Sequence, residues 1–239
     1  MPRQSRTVAS LLALSLLLVL VPFGSPARAE QAGARVYQVM LTNLSPNQPL
    51  SPPILVTHDD GIQIFAIGEK ASDGIQAIAE YGNNKILAEA LSASSGVDDV
   101  VATDMPLHRV GGLGSSTMSV TVMSRAGADR LSIASMLACT NDGFVGFDSI
   151  RLSPTFTPVT LYATSYDAGT EENTQLWTHL PGGCNVIGPM PIPADDMNLH
   201  DPMADVISVH GGIITGRGDL GAAFAWSDPT LMITVQRVE

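Results

Sequence analysis

The stretch Thr117-Met118-Ser119-Val120-Thr121-Val122-Met123-Ser124-Arg125-Ala126-Gly127-Ala128-Asp129-Arg130-Leu131-Ser132-Ile133 decides the fold class. Met118, Val120 and Val122 alternate with Thr117, Ser119 and Thr121, a period of two that lines the apolar residues along one face of a strand. A turn from Arg125 to Asp129 follows, and Leu131, Ile133 and Leu137 then resume the apolar series, so the segment reads as a β-hairpin. Working outward, Tyr37, Val39 and Leu41 alternate in the same way with Gln38, Met40 and Thr42. Residues 54–57, 62–67, 159–163, 206–209 and 231–235 are further strand candidates, and most are too close together for crossover helices. The sheet is therefore expected to be mainly antiparallel.

Helical signal is confined to two short stretches. One runs from Ser72 as N-cap through Ile75, Ile78 and Ala79 to Gly82 as C-cap; the other surrounds Ile86, Leu87, Ala90 and Leu91. They read as one insertion between strands. With 22 Gly and 16 Pro to make turns, and no internal repeat or low-complexity linker, the chain predicts an all-β fold. The expectation is a single antiparallel two-layer β-sandwich of seven or eight strands, with long loops and one short helical insertion. Residues 181–203, rich in Gly, Pro and Asp, are expected to form an exposed irregular loop.

Residues 1–29 have the layout of a secretory signal: Arg3 and Arg6 at the start, an apolar run from Leu11 to Val21, and Ala27-Arg28-Ala29 for the peptidase. The run is shorter than the roughly 20 residues that span a bilayer. Cleavage after Ala29 would leave residues 30–239 as one domain, secreted or periplasmic, with no membrane span. The whole chain has 12 basic and 23 acidic side chains and a formal net charge of -11. Such a chain repels nucleic acid and anionic membranes and is better matched to cations. Export also places it where calcium fills even weak carboxylate sites.

Two acidic stretches follow strand candidates: Thr140-Asn141-Asp142-Gly143-Phe144-Val145-Gly146-Phe147-Asp148, and Tyr166-Asp167-Ala168-Gly169-Thr170-Glu171-Glu172-Asn173. Asp167 and Glu171 stand four apart with Gly169 free to turn both carboxylates toward one point. Spacing alone leaves two readings open, a hard-cation site or solvated turns closed by Asx-type hydrogen bonds. His58-Asp59-Asp60, His200-Asp201 and His210 could in principle assemble a hydrolytic metal centre. They lack a helical His-Glu-x-x-His spacing, and scattered histidines are more often structural. No Gly-x-Ser-x-Gly elbow or phosphate loop occurs, so the sequence offers no catalytic constellation. Arg217-Gly218-Asp219 reads as a plain turn. Cys139, beside the first acidic stretch, and Cys184, after Pro181-Gly182-Gly183, are expected to form a disulfide in an exported protein, the alternative being two buried thiols.

The Tyr166-Asp167-Ala168-Gly169-Thr170-acid core resembles the signature of the spondin domain, and Asn141-Asp142 through Phe144-Val145-Gly146 to Asp148-Ser149 resembles its companion loop. Ser51-Pro52-Pro53 with Thr57-His58, Ala71-Ser72, His210-Gly211-Gly212 and Gly218-Asp219-Leu220 are similar to bacterial members. The resemblance implies a β-sandwich that binds calcium at one end and serves as an extracellular adhesion or binding module, with a protein or glycan as partner. Carried over, its metal carboxylates fall on Asp142, Asp167 and Glu171, with Glu172 as a substitute for the last. Animal members usually have Asp at the position of Glu171 and Trp after the first aspartate, where this chain has Gly143-Phe144.

Overall fold

The computed structural model describes residues 33–193 and 196–239; the expected signal at residues 1–29 lies outside them. Among the described residues, nine strands are paired antiparallel throughout. They are β1 (Arg35–Asn43), β2 (Ile54–His58), β3 (Val97–Ala102), β4 (Thr117–Ser124), β5 (Arg130–Met136), β6 (Gly143–Arg151), β7 (Val159–Asp167), β8 (Ser208–Val209) and β9 (Leu231–Arg237). The path runs β3-β2-β5-β6-β7-β9-β1-β4, with β8 joined to β7. β7 belongs to both layers: Val159 to Ala163 pair with β9, whereas Thr164 to Asp167 pair with β6. The sheet folds over at this strand into the expected sandwich.

Tyr37, Val39 and Leu41 of β1, Val120 and Val122 of β4 and Leu231, Ile233 and Val235 of β9 fill the space between the layers. They meet Leu55, Leu131, Ile133 and Val145 from β2, β5 and β6. The second layer is also covered on its outer face. Ile54, Val56, Ala134, Met136 and Phe144 pack under Ile75, Ile78 and Ala79 of α1 (Asp73–Tyr81) and Leu87 and Leu91 of α2 (Lys85–Ser92). The helical insertion is thus a third layer rather than a loop decoration. Its first helix has the expected ends: the Ile75 N–H donates to Ser72 Oγ (3.3 Å), and Gly82 is left-handed at φ 65°. A third short helix, α3 (Gly182–Ile187), opens the otherwise irregular segment that follows.

Three sequence expectations change. First, β4 and β5 do not form a hairpin: β4 pairs with β1, and β5 lies between β2 and β6, so the Arg125–Asp129 turn arches from one layer to the other. β4 buries alternate residues and suits an edge, whereas β5 is buried on both faces from Leu131 to Met136 and must be central. Side chains stitch the edge β4 to the other layer, with Met123 N–H donating to Asp99 Oδ2 of β3 (2.9 Å) and Thr57 Oγ1–H of β2 to the Met123 carbonyl (2.5 Å). Second, residues 62–67 form no strand. β2 already has β3 and β5 on its two sides, so Ile64 and Phe65 enter the helix-covered core from a loop. Third, most of the first acidic stretch is β6. A Cβ on Gly146 would stand 2.1 Å from the Ile133 carbonyl oxygen, so this glycine, which reads as a loop residue, lets β6 approach β5.

Candidate metal centre

Asp142 closes the turn between β5 and β6, and Asp167 ends β7. Register brings them together, because Gly143 faces Asp167 across the β6–β7 pair. The turn is tight: Leu137 N–H donates to the Gly143 carbonyl (2.9 Å), and Gly143 N–H to Thr140 Oγ1 (2.9 Å). On the facing loop, Gly169 N–H donates to Asp167 Oδ1 (2.8 Å). Gly169 is left-handed at φ 70°, and a Cβ there would meet the Val206 carbonyl oxygen at 2.8 Å. The chain therefore doubles back over Asp142, whose Oδ2 accepts from Thr170 N–H (2.8 Å), Glu171 N–H (3.0 Å) and Thr170 Oγ1–H (3.3 Å).

The other oxygen, Asp142 Oδ1, is buried and has no hydrogen-bond partner. Burial, and next the negative charge of Asp167, push the Asp142 carboxyl up to about 6, although the Glu171 and Thr170 donors pull it down. Among the described residues no Lys or Arg forms an ion pair with Asp142, Asp167 or Glu171. A hard, oxygen-seeking cation fits this arrangement: a buried carboxylate oxygen free to ligate, a second carboxylate beside it and no competing positive side chain. His210 borders the pair. Its Nδ1 accepts from Gly212 N–H (3.0 Å) and its buried Nε2 has no partner, while burial lowers its pKa against the pull of Asp167 and Asp228.

Of the two adjacent glutamates, Glu171 is buried and Glu172 is exposed and paired with Arg217 (3.0 Å). Glu171 lies close enough to sense the charge of Asp142, yet its Oε1 contacts His200 Nδ1 and its Oε2 is buried without a partner. The segment around His200 is drawn alongside the loop by Glu172 N–H to the Asp201 carbonyl (2.9 Å) and Met203 N–H to the Thr170 carbonyl (2.8 Å). Donor atoms of Glu80, Glu171 and His200 all lie within 4.8 Å of one another. Sequence reasoning missed Glu80, which carries no motif, and only the C-terminal end of α1 brings it here.

Of the histidines of the hydrolytic alternative, His58 stands apart. His58 faces Arg130 at the far end of β5 from Asp142, some six residues or about 20 Å along the strand. The Arg217-Gly218-Asp219 turn is tied inward as well, with Trp177 N–H donating to Asp219 Oδ2 (3.0 Å) and Arg217 on Glu172. A disulfide joins Cys139 to Cys184, whose Cα atoms are 4.9 Å apart, and so ties the turn carrying Asp142 to α3. With 45 residues of separation, its effect on the unfolded chain is worth about 4 kcal/mol.

Fold and site together define an antiparallel β-sandwich with an acidic pair at one end, Asp142 buried and Asp167 half-buried. The Spondin_N family model matches residues 43–178, which include β2 to β7 and both Asp142 and Asp167. This chain belongs to the Spondin_N family. No curated protein sequence matches it significantly. Among the described residues no helix is long and apolar enough to cross a membrane.

Proposed function

We propose that the chain is an exported, non-catalytic, calcium-binding module that works by recognition, through adhesion to an extracellular protein or glycan. The observation that carries this reading is the buried, unpartnered Asp142 Oδ1 beside the Asp167 carboxylate. Asp142, Asp167 and Glu171 would hold the ion, which supplies positive charge to a set of hard oxygen donors. By neutralising their repulsion it would tie the β5–β6 turn to the loop after β7 and so stiffen the end of the sandwich for a partner. The hydrolase alternative loses His58, which is held by the Asp59 carbonyl and Ser132 at the opposite end of β5 from Asp142.

Thermal unfolding with calcium or chelator tests the metal. Calcium at about 100 times its dissociation constant is expected to raise stability by roughly 2.7 kcal/mol. Asp167→Asn is expected to remove most of that gain. A melting temperature unmoved by calcium and by chelator overturns the site. Glycan-array binding or pull-down with and without calcium tests the recognition role, and metal-dependent turnover in a hydrolase screen would replace it.

A further inference from the structure

Glu80 occupies an uncomfortable position. It is buried in the last turn of α1, where the helix dipole presents its negative end and no basic residue stands. A second buried carboxylate, Glu171, lies beside it, and His200 is the third donor group of this cluster. Gln76 Nε2–H donates to Glu80 Oε1 (2.7 Å), but Glu171 Oε2, in a side chain only 2% exposed, has no hydrogen-bond partner. Two carboxylates held this way against each other and against a dipole call for positive charge.

The donor set says which charge. All three donors fall within 4.8 Å of one another, which suits ligands meeting on one ion. An imidazole with two carboxylates is the chemistry of borderline divalent transition metals, whereas calcium takes oxygen alone. A way in exists: the His200 side chain is 29% exposed, and the partly exposed ring of Tyr81 lies 5.1 Å from it.

We infer that Glu80, Glu171 and His200 form a second metal site, which takes a borderline divalent ion of the Zn2+ class and lies next to the Asp142–Asp167 pair. Two of its three ligands and its metal class differ from the calcium site proposed above, and it stands without that reading. Glu171 is shared, so its carboxylate links the two positions.

The test uses the full 239-residue chain, stripped with chelator and titrated with ZnCl2 by calorimetry, with calcium-dependent melting measured in parallel. Unaltered protein is expected to bind one Zn2+. Glu80→Gln and His200→Ala are each expected to weaken that binding roughly tenfold or more while leaving the calcium response in place. Glu80→Gln keeps the buried shape and His200 lies on an exposed loop, so both variants are expected to retain the circular dichroism of the parent. Asp142→Asn is expected to lose the calcium response and keep Zn2+. Absence of Zn2+ binding, or binding indifferent to both Glu80→Gln and His200→Ala, overturns the inference. Zn2+ binding lost in Asp142→Asn but kept in His200→Ala also overturns it, since the ion then sits in the calcium position. Loss of the calcium response alone leaves this site standing and removes the other.

Discussion

Two buried polar regions lie at opposite ends of β5 and β6, and they are built differently. At one end His58 Nδ1–H donates to the Asp59 carbonyl (2.6 Å), and its Nε2 lies 2.7 Å from Ser132 Oγ. Ser132 Oγ also accepts from Ser149 N–H (2.8 Å) and lies 3.2 Å from Asp148 Oδ1, which in turn accepts from Ile64 N–H (2.7 Å). Ser149 Oγ–H donates to the remaining Asp148 oxygen (2.8 Å). At the other end Asp142 Oδ1, Glu171 Oε2 and His210 Nε2 are buried with no partner. Both ends contain His and Asp, so residue type does not distinguish them. What does is whether both nitrogens of the histidine and both oxygens of the aspartate are used up inside the protein, as they are for His58 and Asp148, although Arg130 Nη1 beside them is buried with no hydrogen-bond partner. A closed network holds strands in place; an open one has capacity left for a ligand.

The largest effect that sharpens this contrast belongs to the closed end. His58→Leu leaves Ser132 and the Asp59 carbonyl short of a partner and is expected to cost about 2–3 kcal/mol. The loss should be the same in calcium and in chelator, measured by urea unfolding. A loss that depends on calcium would mean that the two ends are not independent.

Asp142 gives the next effect, of order 2 kcal/mol. Its folded pKa lies above that of an unfolded aspartate, so between about pH 4 and pH 6 the folded state binds more protons than the unfolded one. Chelated protein is therefore expected to lose stability relative to Asp142→Asn as pH rises through this window. Comparing the two proteins cancels the opposite contribution of His210, whose lowered pKa costs stability as pH falls. If calcium binds as proposed, saturating calcium is expected to lower the folded pKa of Asp142, and the comparison should reverse, with the parent gaining as pH rises. Urea unfolding at pH 4.5 and pH 7.5 checks this; a difference unmoved by pH would return Asp142 to the role of a loop cap.

The smallest effect is at Glu172. Its exposed pairing with Arg217 is worth under about 0.5 kcal/mol, so Glu172→Gln should barely change stability and should leave the calcium response intact. Loss of the calcium response in this variant would transfer the third ligand from Glu171 to Glu172.

Much of the fold was legible where local chemistry and tertiary role coincide. Ser72 and Gly82 bound α1 because capping is decided within one turn. The alternation in β1 and β4 survives because each faces the core on one side only. β3 was hidden by Asp98 and Asp99, which serve as cross-edge acceptors, and β6 by flanking aspartates and Gly146. β5 was seen but given the wrong partner, since a strand buried on both faces carries no mark of which neighbours flank it. At the site, Asp142 and Asp167 were legible as acids after strands, and the structure brings them to one place.

The sequence by itself determined the antiparallel all-β class, the capped helix and the acidic loops after β5 and β7, all of which rest on spacing and turn chemistry over a few residues. Only the tertiary structure decided that the Arg125–Asp129 turn crosses between layers and that Glu171 rather than Glu172 turns inward. It also brought Glu80 from α1 and His200 from a distant loop to the same carboxylate. The reason is physical: pairing across a sheet and meeting at its end depend on which faces must be buried together. That is a property of the assembled layers, which no window of sequence contains.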